Sequence, residues 1–238
     1  MKIPFKLKSN SLKGVFILKS TKRKCILLSA ALLAAFALWT LAICRIDVCP
    51  IGPEGSEVGF SSLNSFIHEL FGVHMTLYAI TDWLGLVPLA FGLGFALLGL
   101  WQWIGRKHIL RVDRSLLILG GFYFIVLSAY LLFEICPINY RPIMINGFKE
   151  ASYPSSTTLL VLCIMPTAIM QLNARIGNRF LRRCVTSVII AFTAFMVIGR
   201  LFSGVHWFTD IVGGALLSGG LVLAYKAMIC IGSCNSQS

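Results

Sequence analysis

Three side chains that can handle a phosphate group stand close together in the C-terminal third of the chain. The segment 199–210 carries Arg200, His206 and Asp210, spaced six and four residues apart, at the junction of two long apolar runs. Residues four apart on a helix share a face, so the Asp210 carboxylate can orient the imidazole of His206. A carboxylate-held histidine is a good nucleophile or base, and an arginine fork binds phosphate. The pattern therefore indicates phosphoryl chemistry at a membrane surface.

A second polar set precedes another apolar run. Arg141 is followed by a proline, and Ser155, Ser156 and Thr157 stand where the run at 155–172 begins. Unpaired backbone N–H groups and the helix dipole favour an anion at such a helix start. Hydroxyl groups at this position either cap the helix or bind a phosphate, and the residues by themselves leave both roles open.

The composition shows which elements must position these side chains. Of the 238 residues, 57% are hydrophobic and 13% are charged, and the mean hydropathy is +0.83, as is typical of an integral membrane protein. Six apolar runs have about the 17–25 residues that a spanning helix needs. We therefore predict an all-α membrane protein with a bundle of six transmembrane helices. The runs are 26–44, 83–105, 116–138, 155–172, 185–202 and 211–231.

The basic residues predict the orientation of this bundle. Eight of the 21 Lys and Arg residues lie in positions 1–24, and four lie in each of the stretches 106–114 and 175–183. Because cytoplasmic loops are rich in Lys and Arg, we expect both termini in the cytoplasm and the protein in the plasma membrane. The spans divide the basic residues, so these residues favour membrane anchoring and contact with membrane lipids over nucleic-acid binding. The two polar sets then share the extracytoplasmic face, where they predict a cationic pocket for one phosphate group.

We expect four segments along the chain. They are a basic cytoplasmic segment at 1–24, a first transmembrane helix with an outer amphipathic segment at 25–82, a catalytic bundle at 83–231 and a cytoplasmic tail at 232–238. Within the second segment, apolar residues recur at helical spacing over 60–78, which predicts an amphipathic helix on the outer leaflet. Paired glycines at 213–214 and 219–220 predict close helix packing.

The polar residues of the two sets resemble the signatures of the type 2 phosphatidic acid phosphatase (PAP2) superfamily. That family carries Lys-x6-Arg-Pro, then Pro-Ser-Gly-His, then Ser-Arg-x5-His-x3-Asp. Here Arg141-Pro142 matches the end of the first signature and Pro154-Ser155 the start of the second. Arg200, His206 and Asp210 supply nearly all of the third. The resemblance covers about residues 83–231.

The resemblance implies a role for each of these residues. His206 would be the nucleophile that forms a phosphohistidine, and Asp210 would orient it. Arg141, Arg200, Ser155 and Ser156 would hold the phosphate. The family needs no metal and no other cofactor, so none is expected here.

Three positions depart from the family pattern. Glu134 stands where the family has its lysine, and Lys149 or Tyr140 is a possible accessory group. Gly199 replaces the serine before the motif arginine. Thr157 replaces the histidine that acts as the family's general acid, a role worth about 10²–10⁴ in rate.

The expected function is dephosphorylation of a lipid phosphate or an isoprenoid diphosphate through a phosphohistidine. A diphosphate substrate would need little protonation of its leaving group; otherwise His68, His74 or Tyr140 would supply the proton. The alternatives are a lipid phosphotransferase that uses the same site, and a catalytically weakened protein that only binds lipid phosphate. The sequence does not specify an oligomeric state.

Overall fold

The structure, a computed structural model, describes the backbone of residues 12–235 and the side chains of residues 20–230. The predicted segments at 1–24 and 232–238 therefore lie partly outside the described residues. The described chain forms α1 (Leu12–Ile43), α2 (Ser61–Phe71), α3 (Met75–Leu84), α4 (Leu86–Arg106), α5 (Arg114–Ile135), α6 (Ser156–Arg175), α7 (Arg179–Phe202) and α8 (Phe208–Asn235). Two short 3₁₀ turns, Pro53–Gly55 and Ile109–Arg111, lie between helices.

Six stretches of the described helices are long and apolar enough to cross a membrane, which confirms the predicted all-α bundle of six spans. They are Ser20–Ile43, Met75–Arg106, Arg114–Ile135, Ser156–Arg175, Arg179–Phe202 and Phe208–Cys230. The second span begins at Met75 rather than at Trp83, because α3 and α4 together form it. The third ends at Ile135 rather than at residue 138, since proline disfavours helix at the residue before it and Pro137 follows closely.

The amphipathic helix is shorter than predicted. It ends at Phe71, so the expectation of one helix through residue 78 is wrong. The physical reason is Gly72, whose φ of +67° lies in the left-handed region that commonly ends a helix. Residues 75–78 instead begin the second span.

Helices α1 and α8 pack along each other over most of the bundle. The Ser29 hydroxyl donates to the Gly220 carbonyl at 2.8 Å, and the Trp39 indole donates to the Thr209 carbonyl at 3.1 Å. A β-carbon on Gly220 would lie 2.7 Å from the side chain of Leu33, so only glycine allows this approach. In lipid, helices associate through such close packing and through hydrogen bonds. The C-terminal end of α1 therefore lies beside the N-terminal end of α8.

Helix α6 stands at the centre of the bundle. Its buried Leu159 and Cys163 pack in one cluster with side chains of α5 and α8, and its Met165 packs against Ile189 and Met196 of α7. We call the end of the bundle where α6 and α8 begin, and where α1 and α7 end, the site end. The loop between α5 and α6 covers it and folds back on itself through backbone pairing of Tyr140 with Ala151.

Candidate active site

A tight turn between α7 and α8 presents the histidine. The Ser203 amide closes the end of α7 on the Gly199 carbonyl at 2.9 Å. Gly204 follows with a φ of +67°, and a β-carbon there would lie 2.0 Å from the Gly72 carbonyl oxygen. Glycine is therefore needed at this position both for its backbone conformation and for the space. The turn then buries the His206 side chain, of which 1% remains exposed.

The histidine and the carboxylate are linked through a serine. Nδ1 of His206 lies 3.8 Å from Oδ2 of Asp210, which is too long for a hydrogen bond. Between them lies Oγ of Ser152, at 3.0 Å from that Nδ1. The same hydroxyl donates to Oδ2 of Asp210. His206, Ser152 and Asp210 thus form one hydrogen-bonded chain.

Asp210 is itself held through its carboxylate and its backbone. The Trp207 amide donates to Oδ2 of Asp210 at 2.9 Å, and the Asn139 side-chain amide lies 3.5 Å from Oδ1. The backbone carbonyl of Asp210 accepts from the Ser155 amide at 3.1 Å. These contacts join the start of α8 to the α5–α6 loop and to the start of α6, so the predicted helix start lies beside the predicted His–Asp pair.

Both predicted arginines converge on one aromatic ring. The guanidinium carbons of Arg141 and Arg200 lie 5.7 Å and 5.1 Å from the centre of the Tyr78 ring, within the range of a cation–π interaction. Nη2 of Arg200 donates to Oδ1 of Asp82 at 2.8 Å and to the Thr157 hydroxyl at 2.6 Å. Nε of Arg141 lies 3.2 Å from a carboxylate oxygen of Glu150, without the alignment of a hydrogen bond.

Five buried nitrogen atoms of this site have no hydrogen-bond partner among the described residues. They are Nε and Nη1 of Arg141, Nε and Nη1 of Arg200, and Nε2 of His206. Buried polar groups are almost always paired, so unpaired donors from two cations mark a place for a missing acceptor. The guanidinium groups provide four N–H-bearing nitrogens and the imidazole a fifth nitrogen, a set suited to a tetrahedral oxyanion.

Burial and the two arginines keep the imidazole neutral. Desolvation lowers the pKa of His206 well below its ordinary value of 6.5, and the positive charges of Arg141 and Arg200 lower it further. A neutral imidazole with an unpaired Nε2 has a free lone pair, provided that its proton is on Nδ1. The arrangement can therefore supply a nitrogen nucleophile beside a bound anion.

The remaining residues predicted to bind phosphate or to assist lie at the start of α6 and in the loop between α5 and α6. Ser155 is fully buried, and its hydroxyl accepts from Thr158 at 3.1 Å. Ser156 lines a small pocket that also includes Glu134 and Ser152. The Lys149 amine lies 3.5 Å from a Glu54 carboxylate and 4.5 Å from the centre of the Tyr140 ring, so these two accessory candidates contact each other.

The two outer histidines have different surroundings. The His68 ring lies 5.5 Å from the ring of Trp207, the neighbour of His206, and its buried Nδ1 has no hydrogen-bond partner among the described residues. Burial lowers the pKa of His68. Nε2 of His74 instead lies 2.9 Å from the Phe71 carbonyl oxygen.

Sequence reasoning missed several residues that contact the site, among them Ser152, Tyr78 and Asp82. The residue type of Asp82 does indicate a functional role, because an ionisable residue within a membrane helix is a functional candidate by default. The residue types of Ser152 and Tyr78 do not, since a loop serine and an interfacial tyrosine are ordinary. In the part of the chain that the structure describes, no three His, Cys, Asp or Glu side chains form a group that could hold a metal ion.

Comparison with protein families bears directly on this arrangement. The family model of the PAP2 superfamily matches residues 115–230, which include both arginines, Thr157 and the His206–Asp210 pair. The segment 115–230 belongs to the PAP2 superfamily. Among solved structures, that of a transmembrane PAP2 type phosphatidylglycerolphosphate phosphatase from Bacillus subtilis is similar at a TM-score of 0.40 and 19% identity, over 89% of this chain and 95% of that chain. No curated protein gave a significant match.

The PAP2 match begins at residue 115, within α5, so it leaves out α1 to α4. Tyr78 and Asp82, which contact the two arginines, therefore lie upstream of the segment by which the family is recognised.

Proposed function

We propose that this PAP2 protein removes phosphate from a lipid phosphate or an isoprenoid diphosphate at the extracytoplasmic face of the plasma membrane, through a phosphohistidine at His206. The single observation that carries the proposal is the set of five unpaired buried nitrogens on Arg141, Arg200 and His206. A phosphoryl group at that place would accept from both arginines. It would also bring its phosphorus atom to the free nitrogen of the imidazole.

The reaction has two balanced steps. In the first, the lone pair of His206 Nε2 attacks phosphorus; the Nε2–P bond forms, and the bond from phosphorus to the leaving-group oxygen breaks. In the second, water attacks the same phosphorus, inorganic phosphate leaves, and Nε2 regains its lone pair. Arg141 and Arg200 neutralise the charge on the phosphoryl oxygens in both steps, where fixed donors in a buried site are most effective.

Proton supply to the leaving group decides between substrates. A threonine hydroxyl cannot act as a general acid here, and Thr157 is already bound to Arg200. An alkoxide leaving group would therefore depart without the help that is worth about 10²–10⁴ in rate. A diphosphate releases a phosphate monoester, which leaves readily without a proton. This difference favours the isoprenoid diphosphate over the alkyl phosphate monoester as the better substrate.

The test compares purified protein in mixed micelles on a polyprenyl diphosphate and on phosphatidic acid, with release of inorganic phosphate as the measurement. We expect faster turnover of the diphosphate and an acid-labile phosphoenzyme that is trapped by rapid quenching. His206→Asn should abolish both signals. His108→Asn is the matched control, because His108 lies in the loop between α4 and α5, at the opposite end of the bundle. Turnover by His206→Asn would refute the mechanism.

The same assay separates two alternatives. If the phosphoryl group appears on an added second lipid with a free hydroxyl and inorganic phosphate is not released, the protein is a phosphotransferase. If the lipid phosphate binds without any turnover, the site only holds its ligand; the occupation of the acid position by Thr157 is the observation that favours this outcome.

A further inference from the structure

We propose that Ser152 is a positioning residue through which Asp210 acts on His206. The inference rests on the proposed function, because it concerns the tautomer that makes His206 a nucleophile. The family signatures pair the histidine with the aspartate and do not include a residue at position 152. In this chain the imidazole contacts the serine hydroxyl, and the serine hydroxyl contacts the carboxylate.

The geometry leaves Asp210 no direct access to the imidazole. The separation of 3.8 Å between Nδ1 and Oδ2 exceeds hydrogen-bond distance, while Ser152 Oγ is 3.0 Å from Nδ1. Ser152 is buried, with 2% of the residue exposed, and its backbone amide donates to the Asn139 carbonyl at 2.9 Å. Both ends of the residue are therefore fixed.

The proton positions follow from donor counting. A serine hydroxyl has one proton, and Ser152 gives it to Asp210, whose two oxygens also accept from the Trp207 and Asn139 amides. The serine oxygen then accepts a hydrogen bond, and the group facing it is Nδ1 of His206. The imidazole proton is thus held on Nδ1, and Nε2 keeps its lone pair toward the phosphate site.

The same chain disperses charge during the reaction. When Nε2 bonds to phosphorus, the imidazole becomes cationic between two arginines that already disfavour a positive charge there. The Nδ1–H group then bonds more strongly to Ser152, which bonds more strongly to the buried carboxylate. Without the serine hydroxyl, the carboxylate is too distant to compensate this charge by a hydrogen bond.

The kinetic test uses Ser152→Ala and Ser152→Thr, with Ser218→Ala as the matched control. Ser218 is an equally buried serine of α8 whose hydroxyl donates to the Gly214 carbonyl. We expect Ser152→Ala to lower kcat about 10²-fold with KM nearly unchanged, less than the ~10⁴-fold lost when a triad aspartate is neutralised in a serine protease. Ser152→Thr, which keeps a hydroxyl, should restore most of the loss. A wild-type kcat in Ser152→Ala would overturn the proposal.

A double-mutant cycle tests whether Asp210 acts through Ser152. If it does, Ser152→Ala combined with Asp210→Asn should be no slower than the slower single variant, because groups that act as a unit are not additive. Losses that multiply would show that the two residues act independently and would overturn the inference.

A spectroscopic measurement distinguishes failure of this inference from failure of the proposed function. In protein labelled with ¹⁵N-histidine, the His206 signals are identified by their absence from His206→Asn. We expect a proton on Nδ1 in the wild type and a mixture of tautomers in Ser152→Ala, whether or not the protein releases phosphate. A wild-type proton on Nε2 would refute the role of Ser152 even in an active enzyme.

Discussion

Gly199 offers the sharpest test of how the scaffold supports the arginines. The PAP2 signature has serine at this position, and the structure explains why glycine stands here. A β-carbon on Gly199 would lie 2.7 Å from the methyl carbon of Thr81 on α3. That methyl cannot turn away easily, since Thr81 is fully buried and its hydroxyl bonds to the Leu77 and Tyr78 carbonyls. Gly199→Ser should therefore push α3 away from α7.

The displacement needed is about 1 Å, the difference between 2.7 Å and an ordinary carbon contact of roughly 3.5–4.0 Å. Overpacking of this kind costs about 1–3 kcal/mol in stability. Because α3 carries Tyr78 and Asp82, which contact Arg200, the variant should also raise the KM for phosphate substrates. A misplacement of about 1 Å can reduce activity by up to ~10²-fold.

The assay is thermal unfolding together with phosphate release, with Thr81→Ser as the compensating change. Serine keeps the hydroxyl bonds and removes the methyl group, so Gly199→Ser with Thr81→Ser should recover most of the lost stability and KM. Thr81→Ser by itself should have little effect. Wild-type stability and KM in Gly199→Ser, or no recovery in the double variant, would refute this account of the packing.

Three further predictions concern the site. Thr157→His should raise turnover of phosphatidic acid by about 10²-fold or more relative to the diphosphate, because it restores a general acid; an unchanged substrate ratio contradicts this. Because the pKa of His206 is depressed in the folded protein, stability should decline once pH drops below the ordinary value of 6.5, whereas kcat/KM should hold at that pH and fall only well below it. Arg141→Gln removes one of the charges that depress this pKa and should move the acid limb of kcat/KM to higher pH. EDTA should leave phosphate release unchanged, and a loss restored by added metal would contradict the metal-independent mechanism.

The large features of the fold were predictable because each rests on a local pattern. Six runs of apolar residues specify six spans regardless of how they pack, and the spacing of His206 and Asp210 places them on one face of a turn. The position of Asn139 or Ser155 against Asp210 depends on contacts between separate elements, yet the shared side of the membrane was enough to predict that the two polar sets meet.

Ser152 could not be found in this way. Its role depends on two distances, to Nδ1 of His206 and to Oδ2 of Asp210, that no spacing in the sequence encodes. Hydropathy predicts a second span that begins at Trp83, whereas the helix begins at Met75, so Tyr78 and Asp82 fall outside the predicted span. Helix starts in a membrane are set by packing as well as by hydropathy, and here Thr81 of α3 packs against Gly199 of α7.

The contact of Tyr78 with both guanidinium groups determines which segments of the chain a fragment or a chimera must contain. A gene fragment restricted to the 115–230 match would encode every signature residue, yet it would lack the Tyr78 ring and the Asp82 carboxylate. Before a substrate arrives, Arg141 would then keep its contact with Glu150 and Arg200 its bond to Thr157, but the ring that both guanidinium groups share would be absent. Chimeras between members of this superfamily should therefore exchange the Met75–Leu84 helix together with the signature-bearing half.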